Sequence, residues 1–124
     1  MAEKKFAVIL SGNGVYDGAE IHESVMSLYA IQLNNCSYEI FAPNIKQHHV
    51  VNHISGEQMN EERNVLIESA RIARGSIKDL SEFDQAKNFE VIVTSQKDVW
   101  HKCLRGKIGE ADFRNRVLKI EKEG

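Results

Sequence analysis

The 124-residue sequence is poor in cysteine, with only Cys36 and Cys103, widely spaced. No secretory leader precedes the first apolar run, so the expectation is a cytoplasmic chain with reduced thiols. The sequence also lacks any apolar stretch approaching the roughly 20 residues that cross a bilayer, and no membrane partner is expected. Nor is there an excess of basic charge: 16 Lys and Arg against 18 Asp and Glu leave a formal charge of -2. That balance gives no electrostatic case for nucleic acid or an anionic membrane surface. What is present is ordinary for a globular chain, at 42% hydrophobic and 27% charged residues. The length fits one domain that buries a core without staples.

The most informative stretch is residues 6–23. Phe6-Ala-Val-Ile-Leu10 is the continuous apolar run of a buried parallel strand. Ser11 ends it, a loop with Gly12, Gly14 and Gly18 follows, and a helical segment opens at Ala19-Glu20-Ile21. Ligands of α/β proteins bind at the carboxyl ends of such strands. Glycines there permit positive φ and close backbone approach, and a helix start adds partial positive charge, so the loop could hold an anion or orient a carboxylate. A dinucleotide fingerprint fails, because the third glycine comes one residue late and Tyr38–Asn44 ends without a ribose-binding acid. No cofactor is expected. The plainer alternative is a βα loop whose glycines serve turning alone.

Downstream, residues 19–34 place Val25, Leu28 and Ile31/Gln32 on one helical stripe that ends near Asn34-Asn35, where asparagine tolerates the left-handed conformation. Tyr38–Ala42 is a second strand stopped by Pro43. Lys46–Ile54 is a short strand or edge element. Asn60 is expected to cap a second helix carrying residues 64–74, with Glu61 and Glu62 in its first turn, Gly75 just past its end, and Leu66, Ala70 and Ala73 on one face. Residues 76–80 lead into a polar turn, and Phe89–Val93 is a buried strand. Alternating elements predict a parallel sheet with right-handed crossovers. From Thr94 the character changes: Asp98 caps a short helix through Leu104, Gly106 breaks it, and residues 110–123 space Phe113, Val117, Leu118 and Ile120 helically.

Four collinear motifs carry a resemblance. They are residues 8–23 (VILSGNGVYDGAEIHE), Phe41-Ala-Pro43, residues 51–57 (VNHISGE) and residues 63–75 (RNVLIESARIARG). Together they resemble ElbB-type proteins of the class I glutamine-amidotransferase-like (PfpI/ThiJ) superfamily, often labelled isoprenoid-biosynthesis-associated or glyoxalase-like. The likeness runs over about residues 5–93. It implies an α/β fold, a flavodoxin-like three-layer sandwich on a parallel sheet, of which residues 1–93 form the N-terminal half and residues 94–124 a helical tail outside the family pattern. In that superfamily a reactive cysteine sits on a sharp strand-to-helix turn, approached by a carboxylic acid from the first βα loop. The resemblance carries that acid onto Glu20 and a pocket onto Gly12, Asn13, Gly14, Tyr16, Asp17, Gly18 and His22. The glycine-rich G-G-F-G-type turn and the C-I-A-P-type nucleophile turn are absent from the sequence.

Neither thiol is a natural replacement. Cys36 lies before the second strand, remote from the ligand end of the sheet. Cys103 follows His101 by two positions, a helical spacing that turns the two side chains apart. It is the candidate substitute nucleophile. His49 and His53 stand at i and i+4 beside His48, but no third ligand has metal spacing, so a structural role is expected and no metal. Three functions remain. The first is a noncatalytic ElbB-like chain with a remnant pocket. The second is a cofactor-independent glyoxalase-like enzyme acting on small 2-oxoaldehydes or related carbonyl compounds. The third is an assembly or regulatory subunit. The strand Phe89–Val93 belongs inside the complete family sheet, so its bare edge leads us to expect a homo-oligomer or pairing with a full-length relative.

Overall fold

The computed structural model describes residues 4–93. The helices expected beyond Thr94, and Cys103 with them, lie outside the described residues. The elements are β1 (Lys5–Ile9), α1 (Ile21–Leu33), β2 (Ser37–Ala42), α2 (Val65–Ala73), β3 (Lys78–Asp79), two single 3-10 turns at Leu80–Glu82 and Gln85–Lys87, and β4 (Glu90–Val93). All strand pairs are parallel and the sheet order is β3-β2-β1-β4.

β1 is apolar from Phe6 onward because both of its faces are covered there. Successive side chains alternate across a sheet. Ala7 and Ile9 point into one cluster with Phe41, Leu80, Phe83, Phe89 and Val91. Val8 and Leu10 point into the other, with Ile31, Ile40 and Ala73. Both α-helices therefore cover one face, and the segment that carries the chain from β3 across to β4 covers the other. The strands step outward from β1 to β2 to β3, then the chain returns to the opposite flank of β1. The reversal of direction falls between β1 and β4, where open α/β sheets leave a crevice at their carboxyl ends.

The buried stripe of α1 differs from the expected one. Ser24 and Ile31 are buried and Leu28 packs beside them, whereas Val25 is 48% exposed. A serine takes the central position because it is small and its hydroxyl is satisfied inside the helix, donating to the Glu20 carbonyl at 2.7 Å. Its burial leaves no orphan donor and turns Val25 outward. The end of α1 is as expected, with Asn35 left-handed at φ 55°.

α2 begins four residues later than the sequence suggests. Its N-cap is Asn64, not Asn60, and Asn64 Oδ1 accepts from the Ile67 amide at 3.0 Å. The delay has a non-local cause. Gln47 donates its amide to the Arg63 carbonyl (2.8 Å) and Val65 donates to the Ile45 carbonyl (2.9 Å), around an antiparallel bridge between Lys46 and Asn64. Backbone committed to that bridge stays extended, so Glu61 and Glu62 precede the helix. Arg74 takes the left-handed terminal position at φ 55°, followed by Gly75 at φ 83°. Lys46–Ile54 forms no strand, only this bridge and a second between Val51 and Gln58. Residues 76–80, expected only to lead into a turn, contain β3, tied to β2 by an ion pair from Lys78 to Glu39 at 2.6 Å.

Asn64→Ala removes the cap of α2 and its Nδ2 hydrogen bond to Asn44 Oδ1. The expected loss is about 1 kcal/mol, read as a lower denaturation midpoint at unchanged slope.

Candidate functional site

The loop from Ser11 to Glu20 sits at the carboxyl end of β1, beside the crevice between β1 and β4. Its backbone is folded back on itself: Gly14 donates to the Ala19 carbonyl and Ala19 to the Ser11 carbonyl, both at 2.8 Å. This closure brings Gly18 against Ser11 and Asn13 so tightly that a Cβ on Gly18 would lie 2.7 Å from the Ser11 oxygen. Gly12 and Gly14 have φ of 75° and 127°, the region that glycine enters without penalty.

The remaining contacts dock the loop onto α2 and onto the segment 47–53. Gly12 donates its amide to Ser69 Oγ at 2.7 Å, and that hydroxyl donates to the Val65 carbonyl at 2.7 Å, so a buried serine is satisfied in both senses. Asn13 Nδ2 donates to the Glu68 carbonyl at 2.7 Å. Asp17 turns inward, its side chain 4% exposed, and Oδ2 accepts from the Val51 amide at 2.7 Å. Tyr16 lies against His53, ring centroids 4.7 Å apart and nearly parallel. Amides of Gly12, Gly14, Tyr16 and Ala19 are all engaged with protein acceptors. Those donors are therefore not aimed at an anion. The sequence offered Gly12, Asn13, Gly14, Tyr16, Asp17 and Gly18 as pocket residues, and the fold brings them together around internal bonds. Ser69 and Glu68 escaped sequence reading, although a serine between Val65 and Ala73 on a buried helix face is itself a signal of a required partner.

Glu20 is the N-cap of α1. Its Oε2 accepts from the Glu23 amide at 2.7 Å and Oε1 from the His22 amide at 3.2 Å, with His22 Nδ1 3.1 Å away. The Glu23 amide, aided by the His22 contacts, holds the carboxyl below the usual range, against a smaller opposing effect of desolvation. It is an anion at neutral pH. A group with a lowered folded pKa lends α1 stability that is complete above its unfolded pKa and is lost as pH falls through the folded one. The His22 side chain is 93% exposed.

Cys36 precedes β2, at the amino end of the strands. The six residues of β2 then carry the chain to the ligand end, a span of about 20 Å at ~3.3 Å per residue. Beside the loop, a cleft of about 550 Å³ opens at the start of α2, lined by Asn13, Arg63, Glu68 and Arg71 among others. Its arginines are spent on carboxylates: buried Glu68 receives Arg63 Nη1 at 3.2 Å and Arg71 Nε at 2.8 Å. A hydrogen bond to Glu61 raises the Arg63 pKa further.

No family model matches the chain. Curated relatives do. Human glutamine amidotransferase-like class 1 domain-containing protein 3, mitochondrial, is 47% identical over 85 residues, which is 68% of this chain and 32% of that protein. The rat ES1 protein homolog, mitochondrial, gives the same identity and coverage. Zebrafish ES1 protein, mitochondrial, is 37% identical over 92 residues, 70% of this chain and 34% of that one. The chain thus spans about a third of the length of these relatives. Among solved structures, the isoprenoid biosynthesis protein with amidotransferase-like domain from Ehrlichia chaffeensis superposes with a TM-score of 0.72 at 39% identity, covering 77% of this chain and 45% of that one. The α/β fold and the ElbB-like, amidotransferase-like resemblance are therefore correct. The cytoplasmic expectation is not: all three curated relatives are mitochondrial proteins. Absence of a recognisable leader had carried that expectation, and it is overturned.

Proposed function

We infer, for a chain whose homologues are glutamine amidotransferase-like class 1 domain proteins, that these 124 residues form an ElbB-like α/β unit without a nucleophile of its own, noncatalytic by itself, with the first βα loop kept as a remnant pocket. The observation that carries this reading is the engagement of Glu20. A superfamily acid must stay protonated to meet a thiolate, whereas this carboxylate is ionised and spent on the amides of His22 and Glu23. Cys36, at the opposite end of the strands, supports the same reading because its thiol is far too distant to attack a carbonyl held at that loop. Residues 1–93 act as the partial domain and residues 94–124 as a separate tail.

The purified chain should show no 2-oxoaldehyde consumption above that of a Cys103→Ser variant. Turnover that disappears in both Glu20→Gln and Cys103→Ser would sink this reading and favour the glyoxalase-like enzyme. The assembly role is favoured by a separate observation: among the described residues β4 pairs with β1 alone, leaving its other edge for a strand of another chain. Co-purification with a full-length relative, or a self-associated state by sedimentation, supports it. By extension from its relatives we place the chain in mitochondria, which subcellular fractionation checks.

A further inference from the structure

His53 is bonded through both ring nitrogens in a way that permits one protonation state. Nε2 accepts from the Tyr16 amide at 3.3 Å, so it carries no proton, and Nδ1 lies 3.0 Å from the Val51 carbonyl, to which it must donate. The neutral Nδ1–H tautomer alone satisfies both bonds. His49 makes the opposite arrangement: its Nε2 faces the Tyr16 carbonyl at 3.3 Å and donates there, a bond that survives protonation of the ring. Beside His53 lies an unused acceptor. Asp17 Oδ1 is buried with no hydrogen-bond partner among the described residues, 3.7 Å from His53 Nε2. Gly14 leaves it room, since a Cβ there would sit 2.7 Å from that oxygen.

A proton added to Nε2 cannot coexist with the Tyr16 N–H that points at the same lone pair. It has a destination in Asp17 Oδ1, a buried oxygen without a hydrogen-bond partner among the described residues. His53 is 39% exposed on its side chain, so solvent protons reach it. The other charged or titratable groups facing this spot are Tyr16, stacked on the His53 ring, His49, His48 packed edge-on to His49 at 5.3 Å, and Arg63, whose charged form Asp17 favours. Arg63 keeps its charge throughout the physiological range, and His49 keeps its bond, so neither reproduces the His53 exchange. No group of three His, Cys, Asp or Glu among the described residues could hold a metal.

We propose that His53 and Asp17 form a proton-operated clasp on the first βα loop. With His53 neutral, the ring fastens the Tyr16 amide. On protonation by solvent, Nε2–H turns to Asp17 Oδ1, the Tyr16 amide is released, and the Tyr16 side of the loop loosens while Asp17 Oδ2 still holds the Val51 amide.

The test is an NMR titration of the isotopically labelled full chain from about pH 8 to about pH 5, following the ring nitrogens of each histidine and the Tyr16 and Val51 amides. The expected result has four parts. His53 starts as the Nδ1–H tautomer. The Tyr16 amide resonance and its exchange protection change with the same midpoint as His53. Asp17→Asn, which keeps an acceptor for Val51 but removes the charge, moves that midpoint to lower pH. His53→Gln makes the Tyr16 amide insensitive to pH. A Tyr16 amide that follows His49, that titrates unchanged in His53→Gln, or that shows no midpoint change in Asp17→Asn overturns the proposal. Should Asp17→Asn fail to fold, the wild-type tautomer and the His53→Gln titration still decide it.

Discussion

Phe41→Ala is expected to lower the stability of the fold by about 3–5 kcal/mol, a large fraction of the ~5–15 kcal/mol that holds a domain together. Phe41 is 1% exposed and stands in β2 on the face that, among the described residues, no α-helix covers. Phe83 meets it edge-on at 5.5 Å and Phe89 at 6.0 Å, both carried on the crossover between β3 and β4. Alanine there leaves a cavity under a segment with only two 3-10 turns of regular structure, which has little means of closing it. Urea denaturation should show a lower midpoint, and Phe41→Leu should lose less than about 1.5 kcal/mol because volume is nearly kept. A loss below about 1 kcal/mol for alanine would mean that this face is not a packed core.

Gly18→Ala should be the most damaging change in the first βα loop. The added carbon would lie 2.7 Å from the Ser11 oxygen, 2.9 Å from the Asn13 nitrogen and 3.1 Å from the Gly12 carbonyl carbon. All three are backbone atoms in a closed turn, so nothing can swing aside as a side-chain tip would. We expect a loss of about 3 kcal/mol, at the upper end for one extra methyl group in a packed site. Gly56→Ala is the control. It has open space around it and only a positive φ of 79° to oppose substitution, and should cost about 1 kcal/mol. Equal losses at the two positions would show that the loop accommodates the methyl by opening.

Much of this fold was legible because its signals are local. A continuous apolar run marked β1, and the same composition marked β4 from Phe89, one residue before the strand begins at Glu90. Asn35 and Gly75 fell in left-handed conformations as their chemistry suggests. The misreadings have non-local causes. Asn60 and Asn64 are equally good caps in isolation, and only the pairing of Gln47 and Val65 with distant carbonyls selects the second. The α1 stripe was ambiguous because Ile21, Val25, Met26, Tyr29 and Leu33 all face outward, between 42% and 63% exposed, so apolar spacing did not single out the buried side. β3 is two polar residues held by an edge pairing and an ion pair, with no periodicity to detect.

The site was half legible. Glycine spacing located the loop and the resemblance located Glu20. What the loop does with its polar groups depends on Ser69, Val51 and His53, which lie 34 to 57 positions away from their partners Gly12 and Asp17, or stack on Tyr16 from a comparable distance. His49 and His53 stand four apart in a segment read as a strand or edge element, yet each lies outside regular structure and meets a backbone group of Tyr16. No spacing rule within one sequence reports such contacts.

The position of β1 between β2 and β4 also sets an order of events during synthesis. The β1–α1–β2 unit can assemble as soon as residue 42 is available, but the other flank of β1 waits for a strand that pairs Phe6 with Glu90, closing a loop of roughly eighty residues that is slow to form. At a synthesis rate of about 5–20 residues per second, Phe6 to Ile9 therefore spend seconds with one row of backbone groups unpaired. The central strand of the finished sheet is, for that interval, an edge, and the nascent chain is most exposed to mispairing before β4 arrives.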